Sequence, residues 1–88
     1  MLNNSSLAII IINWRKYNLT KNCIQSVIDS SYKNFKIIIV DNEYKNNGFG
    51  ELDKNDKIHI IKNETNEGFA RANNQGIKYS LKNGFDYV

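Results

Sequence analysis

Two short apolar blocks, residues 7–13 and 35–40, set the terms for what this chain can fold into. The first contains four consecutive isoleucines, Ile9, Ile10, Ile11 and Ile12, and the second runs through Ile37, Ile38, Ile39 and Val40. β-branched side chains lose rotamer freedom in a helix and pack well on a pleated surface. A short unbroken run of them reads as a strand buried on both faces, which is the habit of a parallel sheet. Neither block approaches the roughly 18 apolar residues needed to cross a membrane.

The segments between and after these blocks fit that reading. Trp14, Arg15, Lys16, Tyr17 and Asn18 form a polar connection. From there Leu19, Cys23, Ile24, Val27 and Ile28 recur at helical spacing, giving one buried stripe. Asn18 or Thr20 can cap its start, and Ser30 and Ser31 end it. The second block stops at Asp41-Asn42. A polar stretch over 43–57 follows, with room for a helical turn near 49–52. Residues 58–61 read as a third strand and 62–67 as a polar loop. Gly68 then opens a second helix with Phe69, Ala72, Asn73, Gly76, Ile77, Ser80 and Leu81 inward and Gly84 as its stop. Phe85, Tyr87 and Val88 look like the opening of a fourth strand. The alternation predicts an α/β fold, a Rossmann-like three-layer α/β/α arrangement with a mostly parallel sheet. At 88 residues the chain holds one unit, with a flexible lead over residues 1–6. A chain this short buries only about 60–65% of its unfolded surface.

Composition removes several function classes. The 41% hydrophobic and 24% charged content is that of an ordinary globular domain. The single cysteine forms no internal disulfide, and its neighbours Ile24 and Val27 make Cys23 a packed thiol. The one histidine, His59, alternates with Ile58 and Ile60, which puts it on the outward side of a strand. It has no ligand spacing to Cys23. The net charge of +3 is dispersed rather than gathered into a basic stripe, so no nucleic-acid partner is expected. That charge suits an anionic ligand such as a nucleotide, or an acidic membrane surface, and selects neither. No basic stretch precedes an apolar one at the N-terminus, so a cytoplasmic location is expected, with the inner face of the membrane open.

Chemistry is expected at one end of the sheet. In parallel sheets ligands bind outside the carboxyl ends of the strands. Polar residues collect there: Asn13 after the first strand, Asp41 and Asn42 after the second, and residues 63–68 after the third. Asp41 can accept hydrogen bonds from a base N–H or a ribose hydroxyl, or it can simply cap a turn. Gly68 at a helix start permits close backbone approach, and the helix dipole favours an anion there. Arg71, one turn in, can reach a phosphate, stack on a base or sit in solvent. Gly76 reads as a packing position. There is no G-x-G-x-x-G after the first strand, no P-loop and no nucleophile elbow.

Four stretches together resemble the family 2 glycosyltransferases, in particular the bacterial rhamnosyltransferase-like branch. They are Ile9-Ile10-Ile11-Ile12-Asn13-Trp14, Cys23-Ile24-Gln25-Ser26-Val27, Ile37-Ile38-Ile39-Val40-Asp41-Asn42, and Asn66-Glu67-Gly68-Phe69-Ala70 continued by Asn73-Asn74-Gln75-Gly76-Ile77. The resemblance implies the N-terminal half of a GT-A fold and an inverting transfer from a nucleotide-diphosphate sugar, of uridine or thymidine type. The acceptor would be a glycan, in polysaccharide building.

Under that resemblance Asn13 and Trp14 line the donor nucleotide, and Asp41, with Asn42 beside it, holds the base or ribose. Asn66, Gly68, Phe69 and Arg71 border the base and ribose, and Asn74 buttresses their loop. Mg²⁺ or Mn²⁺ would bind an Asp-x-Asp-type motif, and a later carboxylate would act as general base. Both are expected beyond Val88, so this chain has no metal site or catalytic residue of its own and should bind nucleotide without transferring sugar. Asp86 precedes the fourth strand and is not the metal ligand. The run Glu43-Tyr44-Lys45-Asn46-Asn47-Gly48 departs from the family's Gly-rich turn. A fourth strand beside the first would be incomplete, which predicts self-association through an exposed sheet edge. A non-catalytic nucleotide-binding or assembly module is the alternative.

Overall fold

The computed structural model describes residues 6–45 and 48–85, the side chains of Glu51 and Asp53 excepted. The chain runs β1 (Leu7–Trp14), α1 (Tyr17–Ile28), β2 (Phe35–Asn42), a 3₁₀ helix (Gly50–Lys54), β3 (Ile58–Lys62) and α2 (Phe69–Lys82). The three strands form one parallel sheet in the order β1-β2-β3. This is the expected α/β architecture. Expectations for residues 1–5, for Asn46 and Asn47 and for Asp86, Tyr87 and Val88 lie outside the described residues. Phe85 is described and is not in a strand; its N–H donates to the Ser80 carbonyl at 3.2 Å.

Strand periodicity divides the sheet between two helical layers. Ile37 and Ile39 of β2 point to one face, where they meet Ile24 of α1, Phe35, Phe49 and Ile58 in the main core. Ile9 and Ile11 of β1 flank that cluster, as do Val27 and Ile28. On the other face Ala8, Ile38 and Val40 are fully buried, as is Ala72 of α2. Gly76 brings α2 onto this face: a Cβ built there would lie 2.7 Å from Ile10 Cγ2. Gly76 is therefore a packing glycine, as its place in the sequence suggests.

Several local expectations need correction. β1 is not buried on both faces; only Ala8 and Asn13 are buried, because β2 is its one strand neighbour among the described residues. Asn18 and Thr20 do not cap α1. The helix begins at Tyr17, two residues before Leu19; Lys16 holds the N-cap position with no side-chain bond, and Thr20 lies inside the helix. Leu19 is 67% exposed and Cys23 is exposed, so the inner stripe of α1 is narrower than its spacing suggests and the thiol is not packed. On α2, Phe69 and Leu81 are exposed, and the buried stripe is Ala72, Gly76 and Ser80. His59 does not face outward to solvent. Its ring stacks on Tyr79 of α2, centroids 4.1 Å apart and planes within 10°. Burial against that layer, with Lys36 nearby, holds its pKa below the usual histidine value.

Candidate functional site

The register of the sheet brings the polar strand ends together. Asn13 pairs with Asp41, and Asp41 with Lys62, at the carboxyl rim. Asp41 and Asn42 are adjacent residues of a strand, so their side chains go to opposite faces. Each seeds its own polar cluster.

On the α1 face, Asn13 Nδ2 donates to Asp41 Oδ1 at 3.0 Å, and the Tyr17 hydroxyl donates to Asp41 Oδ2 at 3.0 Å. The Thr20 hydroxyl donates to Asn13 Oδ1 at 2.6 Å, which fixes the orientation of that amide. The Lys45 amide in turn donates to the Tyr17 oxygen at 3.0 Å. Asp41 is 0% exposed and Asn13 is 1% exposed. Burial pushes the Asp41 carboxyl above its ordinary range; the Asn13 and Tyr17 donors and the Lys62 cation pull it back in part. Burial likewise raises Tyr17, a shift the Lys45 amide opposes and the neighbouring Asp41 reinforces.

On the α2 face, Asn42 Oδ1 accepts from Asn63 Nδ2 at 2.9 Å and from the Glu67 backbone N–H at 3.3 Å. Asn63 and Gln75 exchange both of their amide bonds, at 2.8 and 2.9 Å. Backbone pairing runs one step past β3, since Asn63 N–H donates to the Asp41 carbonyl and Tyr44 N–H to the Asn63 carbonyl. The 63–68 loop is thus tied to the end of β2 and to the second turn of α2. Buried polar atoms need partners, and every such described side-chain atom has one.

The outer rim turns sharply. Arg15 and Glu43, each just past its strand, adopt left-handed φ of 62° and 56°. Non-glycine residues seldom do this, and strain of this kind gathers at functional sites. The two face each other: Arg15 meets Glu43 at 2.7 Å, and the Trp14 indole N–H donates to Glu43 at 3.1 Å. These contacts lower the Glu43 pKa, the Arg15 bond most. Trp14 remains 44% exposed, with the Arg15 guanidinium 4.9 Å above its ring. Gly68 has φ 85° and ψ 162°, a conformation close to glycine-only, and a Cβ there would meet nothing within 4 Å. The Asn66 side chain accepts from its N–H at 2.9 Å. Arg71 is solvent-facing and pairs with Glu67 at 3.2 Å.

The structure therefore places Asn13, Trp14, Asp41, Asn42, Asn66, Gly68, Phe69 and Arg71 along one rim, divided between the two faces of the sheet. Asn74 does not buttress the loop: it is exposed, and the adjacent Gln75 makes the tie. Tyr17, Thr20, Glu43 and Gln75 are not in the sequence-based set, and Asn63 enters it only as the first residue of the 63–68 loop. A signal existed for Gln75, because it follows Ala72 by three residues on the inner face of α2. Thr20 and Tyr17 lie on the first turns of α1, where a buried Asn13 amide requires partners.

Among the described residues no three His, Cys, Asp or Glu side chains gather in a metal-binding group. The donor sets at this rim do not fit a divalent cation: Asp41 is the one carboxylate of the buried cluster and accepts from Asn13 and Tyr17, while Glu43 and Glu67 are paired with Arg15 and Arg71. Among the same residues no helix is long and apolar enough to cross a membrane.

Residues 8–87 match glycosyl transferase family 2. The chain is 29% identical, over 97% of its length, to a dTDP-rhamnosyl transferase RfbF of Shigella flexneri, and spans 28% of that protein. It is 33% identical, over 92% of its length, to an uncharacterized glycosyltransferase of Rickettsia conorii, RC0461, and spans 14% of it. A parallel α/β sheet with a polar carboxyl rim, matched by sequence across almost its whole length, makes this chain a member of glycosyl transferase family 2.

Proposed function

We propose that this chain is the donor-nucleotide-binding part of a glycosyltransferase, one that moves a sugar from a nucleoside diphosphate to a glycan acceptor with inversion. The observation that carries the reading is the buried Asp41 carboxylate at the rim of three parallel strands, in register with Asn13. A charged acceptor among oriented amides suits the N–H of a pyrimidine or the hydroxyls of a ribose. Trp14 and Phe69, both exposed on the rim, offer ring faces to a base. The name of the Shigella relative points to a thymidine-type donor, and a uridine type shares the same N–H. A cytoplasmic location, at the membrane's inner face, belongs to the same proposal.

Calorimetric titration with uridine and thymidine diphosphates tests it. Saturable binding is expected for the wild type, reduced at least tenfold in Asp41→Ala. Equal binding by the two would remove Asp41 from the site.

The β1 edge supports the proposal of self-association. A groove of about 440 Å³ lies beside it, lined by Leu7, Ala8, Ile9, Ile10, Asn73 and Ile77. Exposed strand edges pair readily. Sedimentation should show a dimer that dissociates on dilution; a monomer at high concentration would exclude it.

A further inference from the structure

The Asp41 carboxylate is closed off in this structure. It is 0% exposed, and each oxygen already accepts a bond, Oδ1 from Asn13 and Oδ2 from Tyr17. The two donors are not equivalent. Asn13 is itself buried and locked by Thr20. Tyr17 is half-buried, at the first residue of α1. A ligand donor can reach Asp41 only where a neighbour yields, and Tyr17 is the neighbour with solvent on one side.

Tyr17 also joins Asp41 to the segment after β2. Its oxygen accepts from the Lys45 amide at 3.0 Å. Its ring meets Phe49 edge-on, centroids 4.9 Å apart. Gly48 lies against the same ring so closely that any side chain there would collide with it. One hydroxyl therefore spans the rim acceptor and the backbone that follows it.

We propose that Tyr17 is a stand-in donor: in the ligand-free chain its hydroxyl occupies the position on Asp41 Oδ2 that a nucleoside N–H or ribose hydroxyl takes, and binding exchanges one donor for the other. This rests on the nucleotide reading of the rim given above. The exchange conserves the number of bonds to the carboxylate, and it releases the Lys45 amide at the same moment. Tyr17 is a positioning residue that sets how tightly a nucleoside is held. Lys62 from β3 is the cation facing Asp41, and Tyr17 is the titratable group on the α1 side, with Tyr44 beyond it. The Tyr17 bond helps to hold the carboxyl down against burial. Its removal should therefore shift the acid limb of binding upward.

The test is calorimetry of uridine 5′-diphosphate and thymidine 5′-diphosphate against wild type, Tyr17→Phe and Asp41→Asn, over a pH series. Tyr17→Phe retains the ring and its packing on Phe49 and Gly48, and circular dichroism verifies the fold. With the internal competitor gone, it should bind about tenfold tighter than wild type. Its loss of binding on acidification should begin at higher pH. Equal or weaker binding, or an unmoved acid limb, overturns the proposal. In the wild type, the Lys45 amide resonance should shift on nucleotide addition in step with binding; a static resonance overturns it as well. If Asp41→Asn loses binding while Tyr17→Phe does not tighten, the stand-in role fails alone. If wild type and Asp41→Asn bind alike, the nucleotide reading fails at Asp41 and the stand-in role falls with it.

Discussion

β1 and β2 are written in nearly the same residues and have different environments. Ile9–Ile12 and Ile37–Val40 are both unbroken β-branched runs, paired in register. In β2 every position but Lys36 is buried, whereas in β1 only Ala8 and Asn13 are. The difference lies in the neighbours. β2 has a strand on each side, and β1 has one strand beside it among the described residues. Apolar composition states what a strand tolerates; topology decides what it receives. The contrast continues at the rim, where β2 ends in Asp41 and Asn42, enclosed by their own partners, and β1 ends in the exposed Trp14.

The largest effect that can break this comparison is core truncation. Ile39→Ala removes a fully buried side chain, and urea unfolding should show a loss of about 2–5 kcal/mol. Ile11→Ala, one strand over in the same register, should cost about 1 kcal/mol because its side chain is only half-buried. Equal losses would mean that β1 is as enclosed as β2.

Gly76→Ala comes next and tests the helix that covers the second face of the sheet. Alanine gains roughly 1 kcal/mol over glycine in a helix interior. Here the new methyl meets Ile10 at 2.7 Å, and overpacking of that kind costs about 1–3 kcal/mol. Net destabilisation is expected from the same unfolding experiment. A stabilised variant would show that the β1 side chains yield freely.

The rim ties rank third. Gln75→Ala strips Asn63 of a reciprocal amide pair and should cost about 1–2 kcal/mol. Asn74→Ala, at the exposed neighbour, should fall within ~0.5 kcal/mol of wild type. Reversal of that order would return the buttressing role to Asn74.

The smallest effect concerns pH. The folded chain lowers the pKa of His59 below the ordinary 6.5, so the unfolded chain takes up the proton first as the medium is acidified. Stability that is complete above pH 6.5 should decline as pH falls from there toward the depressed folded value. His59→Phe should flatten that slope while keeping the stack on Tyr79. An unchanged slope would assign it to other groups.

Much of this was legible in the residues. The two isoleucine blocks, the helix spacing and the glycine at the start of α2 specify the alternating order and the parallel sheet. The clustering of Asn13, Asp41 and the 63–68 loop followed from where the strands end. What stayed hidden depends on depth and partners. Periodicity marks the inner stripe of α1, yet it does not state how far the sheet extends beneath Leu19 and Cys23. Alternation assigned His59 to a face but gave no sign that α2 covers that face. The division of Asp41 and Asn42 between two clusters, and the part of Tyr17 in one of them, needed three-dimensional register.

The central claim is that nucleotide meets this chain at the polar rim and not at the apolar β1 edge. Amide-resolved NMR titration with uridine diphosphate tests it most directly. Shifts should concentrate at Asn13, Trp14, Asp41, Asn42, Lys45 and Gly68, with Leu7, Ile9 and Ile77 unmoved. Shifts centred on the groove of Leu7, Ile10 and Ile77, with a silent rim, would contradict it.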